Sequence, residues 1–133
     1  MFVDASAIVA MVTFESDADH LADILERAQF PITSPIAIFE AALGISRKHP
    51  TNVENAEALV RRFLDRTGVC IVPVSVEAGF EALSAQARFG RGRGHPAQLN
   101  MGDCFAYAVA KTHGVPLLFK GNDFPHTDIT PAA

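Results

Sequence analysis

Met1-Phe2-Val3-Asp4-Ala5-Ser6-Ala7, the opening of the chain, reads as a short apolar strand, an acid and the start of a helix. Residues 5–14 have helical composition, and Asp4 or Ser6 can cap them. The alternation continues downstream. Residues 15–28 carry Leu21, Ile24, Leu25 and Ala28 at spacings of three and four, the mark of an amphipathic helix. Residues 31–34 are briefly extended. Ser34 then caps, and Pro35 begins, a helix through Ile36, Phe39, Ala42 and Leu43 that stops at Arg47-Lys48-His49-Pro50. Asn52 opens a helix through Val53, Leu59, Val60, Phe63 and Leu64, ended by Gly68. Residues 69–74 form a buried-strand run, Ser75 caps a helix to about Phe89, and residues 90–96 make a flexible basic loop. A helix over 102–113 closes at Gly114, a strand over 115–119 follows, and a last extended piece lies near 128–130. Short, two-sided apolar strands alternating with helices predict an α/β protein with a parallel sheet covered on both faces. No repeat, low-complexity segment or linker interrupts the 133 residues, which predicts one domain over 1–133.

The sequence is 49% hydrophobic and 20% charged, which excludes intrinsic disorder and permits a core without staples. No stretch approaches the ~20 apolar residues of a membrane span. Asp4 stands where a secretory leader would carry a basic segment. The only cysteines, Cys70 and Cys104, make neither a disulfide framework nor a zinc site. These features predict a soluble cytoplasmic protein that does not engage membranes. With a formal net charge of −4, contact with a polyanion must come from a local basic patch or from bound cations. Arg88, Arg91 and Arg93 form one cluster and Arg61, Arg62 and Arg66 another, and a solvated face is the plainer reading of both.

Ligands of parallel α/β sheets gather outside the carboxyl ends of the strands. Asp4 closes the first strand, where it is either a helix cap or a site residue. Glu40 lies among Ile36, Phe39 and Leu43 at the edge of a buried helix face, where a carboxylate needs water, a partner or a metal. Asp103 occupies a first helical turn, a position the helix dipole favours for any acid. The apolar run over 104–110 makes that helix a buried one and puts its acid at the mouth of the sheet. Asn122 and Asp123 follow the last clear strand, as a polar turn after Gly121 or as part of a site. Converging carboxylates repel unless cations lie among them. Mg2+ and Mn2+ take oxygen ligands and keep waters, leaving room for phosphate oxygens. Metal-dependent phosphodiester hydrolysis is the chemistry such a cluster suits.

The opening Met1-Phe2-Val3-Asp4-Ala5-Ser6-Ala7 resembles that of the PIN-domain ribonucleases. Leu99-Asn100-Met101-Gly102-Asp103-Cys104-Phe105-Ala106-Tyr107-Ala108 and Pro116-Leu117-Leu118-Phe119-Lys120-Gly121-Asn122-Asp123-Phe124 resemble the later half of the VapC branch, the toxins of type II toxin–antitoxin pairs. The match covers nearly the whole chain. It implies a three-layer α/β/α PIN-like domain with a short parallel central sheet, an acidic Mg2+ or Mn2+ site, and endonucleolytic RNA cleavage by metal-activated water. Carried over residue by residue, Asp4, Glu40 and Asp103 match the first three acids, with Asp4 and Asp103 as metal ligands. The chain departs at the fourth position. Where relatives commonly carry an acid in Lys-Gly-x-Asp-Phe, x is Asn122, followed by Asp123. An amide accepts a contact but brings no charge, so Asp123 is the preferred fourth catalytic residue and Asn122 the alternative. Ser6 matches the small hydroxyl residue beside the first acid and is expected to orient a water. The resemblance also implies a cognate antitoxin and homodimers held by apolar helix faces, for which residues 21–28 and 53–64 offer surface. Residues 88–95 are expected to contact RNA, chiefly through Arg91 and Arg93.

Other readings fit less well. A haloacid-dehalogenase phosphatase needs a second acid where Ser6 stands. A receiver domain finds only Lys120, since Ser75 ends the middle strand where its phospho-accepting Asp belongs. Gly90-Arg91-Gly92-Arg93-Gly94 follows a helix rather than a strand, so it is no dinucleotide fingerprint. The remaining rival is a PIN-like module of weakened catalysis that acts by binding antitoxin or RNA. Three acids argue against it and Asn122 for it.

Overall fold

The structure is a computed structural model that describes residues 1–132; Ala133, the last residue of the expected domain, lies outside them. Its elements run β1 (Phe2–Val3), α1 (Ala5–Val12), α2 (Ala18–Glu26), β2 (Ile32–Thr33), α3 (Pro35–Lys48), α4 (Val53–Thr67), β3 (Cys70–Ile71), α5 (Val76–Phe89), α6 (Met101–His113) and β4 (Leu117–Leu118). Helix starts follow capping chemistry. Asp4, Ser34, Asn52, Ser75 and Asn100 each accept a backbone N–H from the first turn of α1, α3, α4, α5 and α6. Gly68 (φ 72°) and Gly114 (φ 64°) end α4 and α6 in the left-handed conformation that glycine adopts without strain.

The four strands pair in parallel in the order β3-β2-β1-β4. Alternation within each strand sorts side chains into two cores. Phe2 and Leu117 face a layer formed by α5 and α6, whereas Val3 and Leu118 face the layer of α1, α2, α3 and α4. This is the expected three-layer α/β/α architecture. Between α5 and α6 the contact is built from small residues, Ala78, Ala82 and Ala85 against Ala106 and Ala110, all nearly or fully buried. Beyond β4, Leu117 donates to the Thr130 carbonyl at 2.9 Å and Ala132 to the Leu117 carbonyl at 2.9 Å. The extended piece expected near 128–130 therefore covers the outer edge of β4. Among the described residues no helix is long and apolar enough to cross a membrane.

Two local expectations are corrected, and a third is qualified. The buried strand over 69–74 is an edge strand of two exposed residues, with Ile71 at 53% exposure. Pro73, which has no N–H to donate, stands just beyond its end. The loop after α5 is tied down: a bridge joins Gly90 to Leu99, Arg91 donates to the Leu99 carbonyl at 2.8 Å, and His95 packs edge-on against Phe89. The apolar faces of α2 and α4 are largely committed to the interior. Leu21, Ile24, Leu25, Ala56 and Val60 are buried, and Leu59, Phe63 and Leu64 pack on the same core. Exposed apolar residues remain at Phe39 of α3 and Val53 of α4, and on α5 Val76, Phe80 and Leu83 repeat at i, i+4 and i+7 with exposures of 77%, 70% and 65%.

Candidate active site

Asp4 caps α1 and also lines a cavity. Its Oδ2 accepts the Ser6 backbone N–H at 3.0 Å and the Ser6 hydroxyl at 2.5 Å, while the residue lines a cavity of about 350 Å3 at the carboxyl edge of the sheet. Burial pushes its carboxyl upward, against those hydrogen bonds. The Ser6 Oγ also accepts the Lys120 backbone N–H at 2.9 Å, so this hydroxyl latches the end of β1 to the segment after β4. Its proton is given to Asp4, which makes Ser6 a positioning residue for that acid.

Glu40 reaches the same cavity from α3, and Asp103 from the first turn of α6. The α6 turn is built by a reciprocal box: Asn100 Oδ1 accepts the Asp103 N–H at 2.8 Å, and Asp103 Oδ2 accepts the Asn100 N–H at 3.1 Å. Glu40 lies against Gly102, where a Cβ would overlap its carboxylate. Burial, then the charges of Asp4 and Asp103, push Glu40 up to about 7. Asp103 is pushed up to about 6, by burial first; the Asn100 hydrogen bond and Arg91 oppose this, and Asp4 and Asp123 add to it. Three carboxylates from three elements thus share one cavity and feel one another's charge.

The fourth position divides as the sequence left it. Asp123 is half-buried and its charge reaches Asp103, whereas Asn122 is exposed. Arg91 lies near enough to Asp103 to stabilise its charge; Arg93 is exposed on the same loop. Arg88 is removed from the expected basic surface. It donates to Asp128 at 3.2 Å and to the Tyr107 hydroxyl at 3.3 Å, and it lies over the Phe89 ring. Three further residues of the cavity wall went unassigned in the sequence: Glu15, Arg47 and Lys120. For Arg47 a signal existed, since Glu40, Gly44 and Arg47 fall at i, i+4 and i+7 on one face of α3. Glu15 and Lys120 meet only through tertiary packing and carry none.

The donor set fits a hard divalent cation. Among the described residues no three His, Cys, Asp or Glu side chains are drawn together tightly enough to enclose an ion. Mg2+ needs no such enclosure, because it keeps several waters and binds through one or two carboxylates. Two acids held above their usual range by burial and mutual repulsion are what a bound cation would relieve. A pH dependence follows for metal-free protein. A carboxyl raised in the folded state binds its proton more tightly there than in the unfolded chain, so stability falls as pH rises through that interval. For Glu40 it runs from 4.5 to about 7 and for Asp103 from 3.8 to about 6. Asp128, lowered from 3.8 to about 2, contributes fully above pH 5 and adds no slope there. In EDTA the melting temperature should drop between pH 5 and 7.5. Glu40→Gln should recover about 1–2 kcal/mol at the upper end, allowing for screening of a half-buried group. A flat or rising profile in wild-type protein would contradict the repulsion.

A three-layer α/β/α domain with carboxylates gathered at the carboxyl edge of a parallel sheet defines a class, and comparison with known proteins narrows it. The PIN domain family model matches residues 1–129. Ribonuclease VapC42 of Mycobacterium tuberculosis is 42% identical over 132 residues, covering 99% of this chain and 98% of its own. A VapC ribonuclease of Rhizobium meliloti is 38% identical over 139 residues, covering 96% and 98%. In fold, the chain matches the crystal structure of M. tuberculosis VapC20, a sarcin–ricin loop cleaving toxin, with a TM-score of 0.74. That match has 16% identity and covers 97% of this chain and 95% of the other. The chain belongs to the PIN-domain family, within its VapC ribonuclease branch.

Proposed function

We propose that this chain is an endoribonuclease requiring Mg2+ or Mn2+, the toxin of a type II pair, acting as one domain over 1–133 in the cytoplasm. The observation that carries this reading is the cavity shared by Asp4, Glu40 and Asp103, where charge repulsion is offset by no cation at Glu40. The ribonuclease names of its relatives support it. When bound, a divalent ion supplies an activated water and neutralises charge on the phosphodiester during in-line displacement. Asp4 and Asp103 hold that ion. Ser6 fixes the Asp4 rotamer, and Glu40 adds the third charge and a proton acceptor. Asp123 supports the site from beside Asp103, while Arg91 and Arg93 hold the RNA backbone. A cognate antitoxin protein is the natural restraint on such an activity.

Purified protein free of antitoxin should cut single-stranded RNA with Mg2+ or Mn2+ and stop when EDTA is added. Failure with either ion would leave the binding-module reading in its place. Asp123→Asn should slow cleavage about 10–100-fold, as loss of an outer-shell partner does, and Asn122→Ala should change it little. The reverse order would move the fourth role to Asn122.

The resemblance implies dimers held by apolar helix faces; besides residues 21–28 and 53–64, the α5 stripe of Val76, Phe80 and Leu83 is a face on which a second copy of this chain would dock. One large exposed apolar residue needs no explanation, but three on one helix face form a patch. Phe80→Glu should leave the circular dichroism spectrum unchanged and convert dimer to monomer in size-exclusion chromatography with light scattering. An unaltered dimer would place the interface elsewhere.

A further inference from the structure

Two lysines, Lys120 in the wall of the acidic cavity and Lys48 outside its lining, are committed to one acid of that wall, Glu15. Lys48 pairs with Glu15 at 2.6 Å, Lys120 pairs with the other oxygen of Glu15, and Lys120 also lies 3.3 Å from Asp17. Glu15 is held below its usual range by these two lysines. Arg47 lines the same cavity and pairs with no carboxylate among the described residues. It forms no ion pair with Asp4, Glu40 or Asp103, the acids whose cavity it shares.

The position of Arg47 on α3 is informative. Glu40, Gly44 and Arg47 share a helical face, and all three line the cavity. Gly44 carries no side chain, and a Cβ there would meet Val9 Cγ2 at 2.9 Å. Val9 therefore packs onto the helix surface between carboxylate and guanidinium, and it lines, with Gly44, the cavity that the acids share with Arg47. From another element, Arg91 lies near enough to Asp103 to stabilise its charge. Arginines on two separate elements thus border the acid cluster. A guanidinium keeps its charge at every physiological pH and presents a fork of donors matched to phosphate oxygens.

We infer that Arg47 binds a backbone phosphate adjacent to the one being cut, so that Arg47 and Arg91 together set the path of single-stranded RNA across the acids. The inference rests on the ribonuclease reading above. It gives Arg47 a positioning role, since phosphate contacts fix register without reading sequence.

The test uses the full chain and a short single-stranded RNA of mixed sequence. Binding is measured across a salt series with Ca2+ replacing Mg2+, and cleavage kinetics with Mg2+. Arg47→Ala should weaken RNA binding about 5–10-fold near 0.1 M salt and reduce the slope of log K against log salt by about 0.7, the loss of one single-strand phosphate contact. KM should rise more than kcat falls. Arg47→Lys should restore the slope but only part of the affinity, because a point charge replaces a fork. The thermal stabilisation by Mn2+ should match wild type in both variants. An unchanged salt slope in Arg47→Ala would overturn the inference, and so would an equal loss of Mn2+ stabilisation, which would assign Arg47 to the metal site. Wild-type protein that binds RNA without cutting it would refute the ribonuclease reading and leave the salt-slope test of Arg47 intact.

Discussion

Asp4→Asn should reduce RNA cleavage about a thousand-fold or more while leaving the fold intact. The substitution separates two roles that coincide at this position. As a cap, Asp4 offers one oxygen, Oδ2, to the Ser6 N–H and hydroxyl. Asparagine keeps an acceptor oxygen there and caps helices as well as aspartate does. As a metal ligand, Asp4 offers charge, and an amide brings none. Losing a ligand of the catalytic ion removes several kcal/mol of transition-state stabilisation, and each ~1.4 kcal/mol is tenfold in rate. The metal-free protein should gain rather than lose, because the wild-type carboxyl is buried and its charge raises Glu40 and Asp103. At pH 7.5 in EDTA the variant should therefore melt at or above wild type, and Mn2+ should no longer raise its melting temperature. Cleavage within about tenfold of wild type, measured on the same RNA, would make Asp4 a cap only.

What could be read from the sequence was what is local. The caps at Ser34, Asn52 and Ser75, the glycine ends at Gly68 and Gly114, and the parallel α/β alternation all depend on neighbours within a few residues, and all stand in the structure. Asp4 and Asp103 were legible because a strand end and a first helical turn are recognisable positions whose outlook the fold class fixes. Glu40 was readable as an acid among apolar residues, but that it faces Asp4 and Asp103 came from resemblance. The misreadings concern partners distant along the chain. The run over 69–74 is as apolar as a central strand, and only the sheet order makes β3 an edge. The glycines of residues 90–94 suggested mobility, and the pairing of Gly90 with Leu99 that restrains them has no periodic signature. Glu15 and Lys120 are 105 residues apart, so the ion pair that lines the cavity is a product of packing alone.

Gly102→Ala should slow cleavage about as much as removing Glu40 does, with the fold kept. In an ordinary helix this substitution stabilises by about 0.5–1 kcal/mol, since glycine loses more backbone entropy than alanine on folding. Here a Cβ at residue 102 would overlap the Glu40 carboxylate. That carboxylate is the far end of a flexible side chain, so the clash is relieved by turning Glu40 away rather than by unfolding. The result is a helix at least as stable and a cavity that has lost its third acid, with cleavage down about 10–100-fold, the range of effects for a group that supports a metal site. A double-mutant cycle separates this route from general damage. In a Glu40→Ala background the clash is gone, so adding Gly102→Ala should cost no further activity and should raise the melting temperature. Losses that multiply, with Gly102→Ala as harmful in the Glu40→Ala protein as in wild type, would show that Gly102 acts through something other than Glu40. Gly102→Ala with full activity would show that Glu40 works from a rotamer other than the one packed on this glycine.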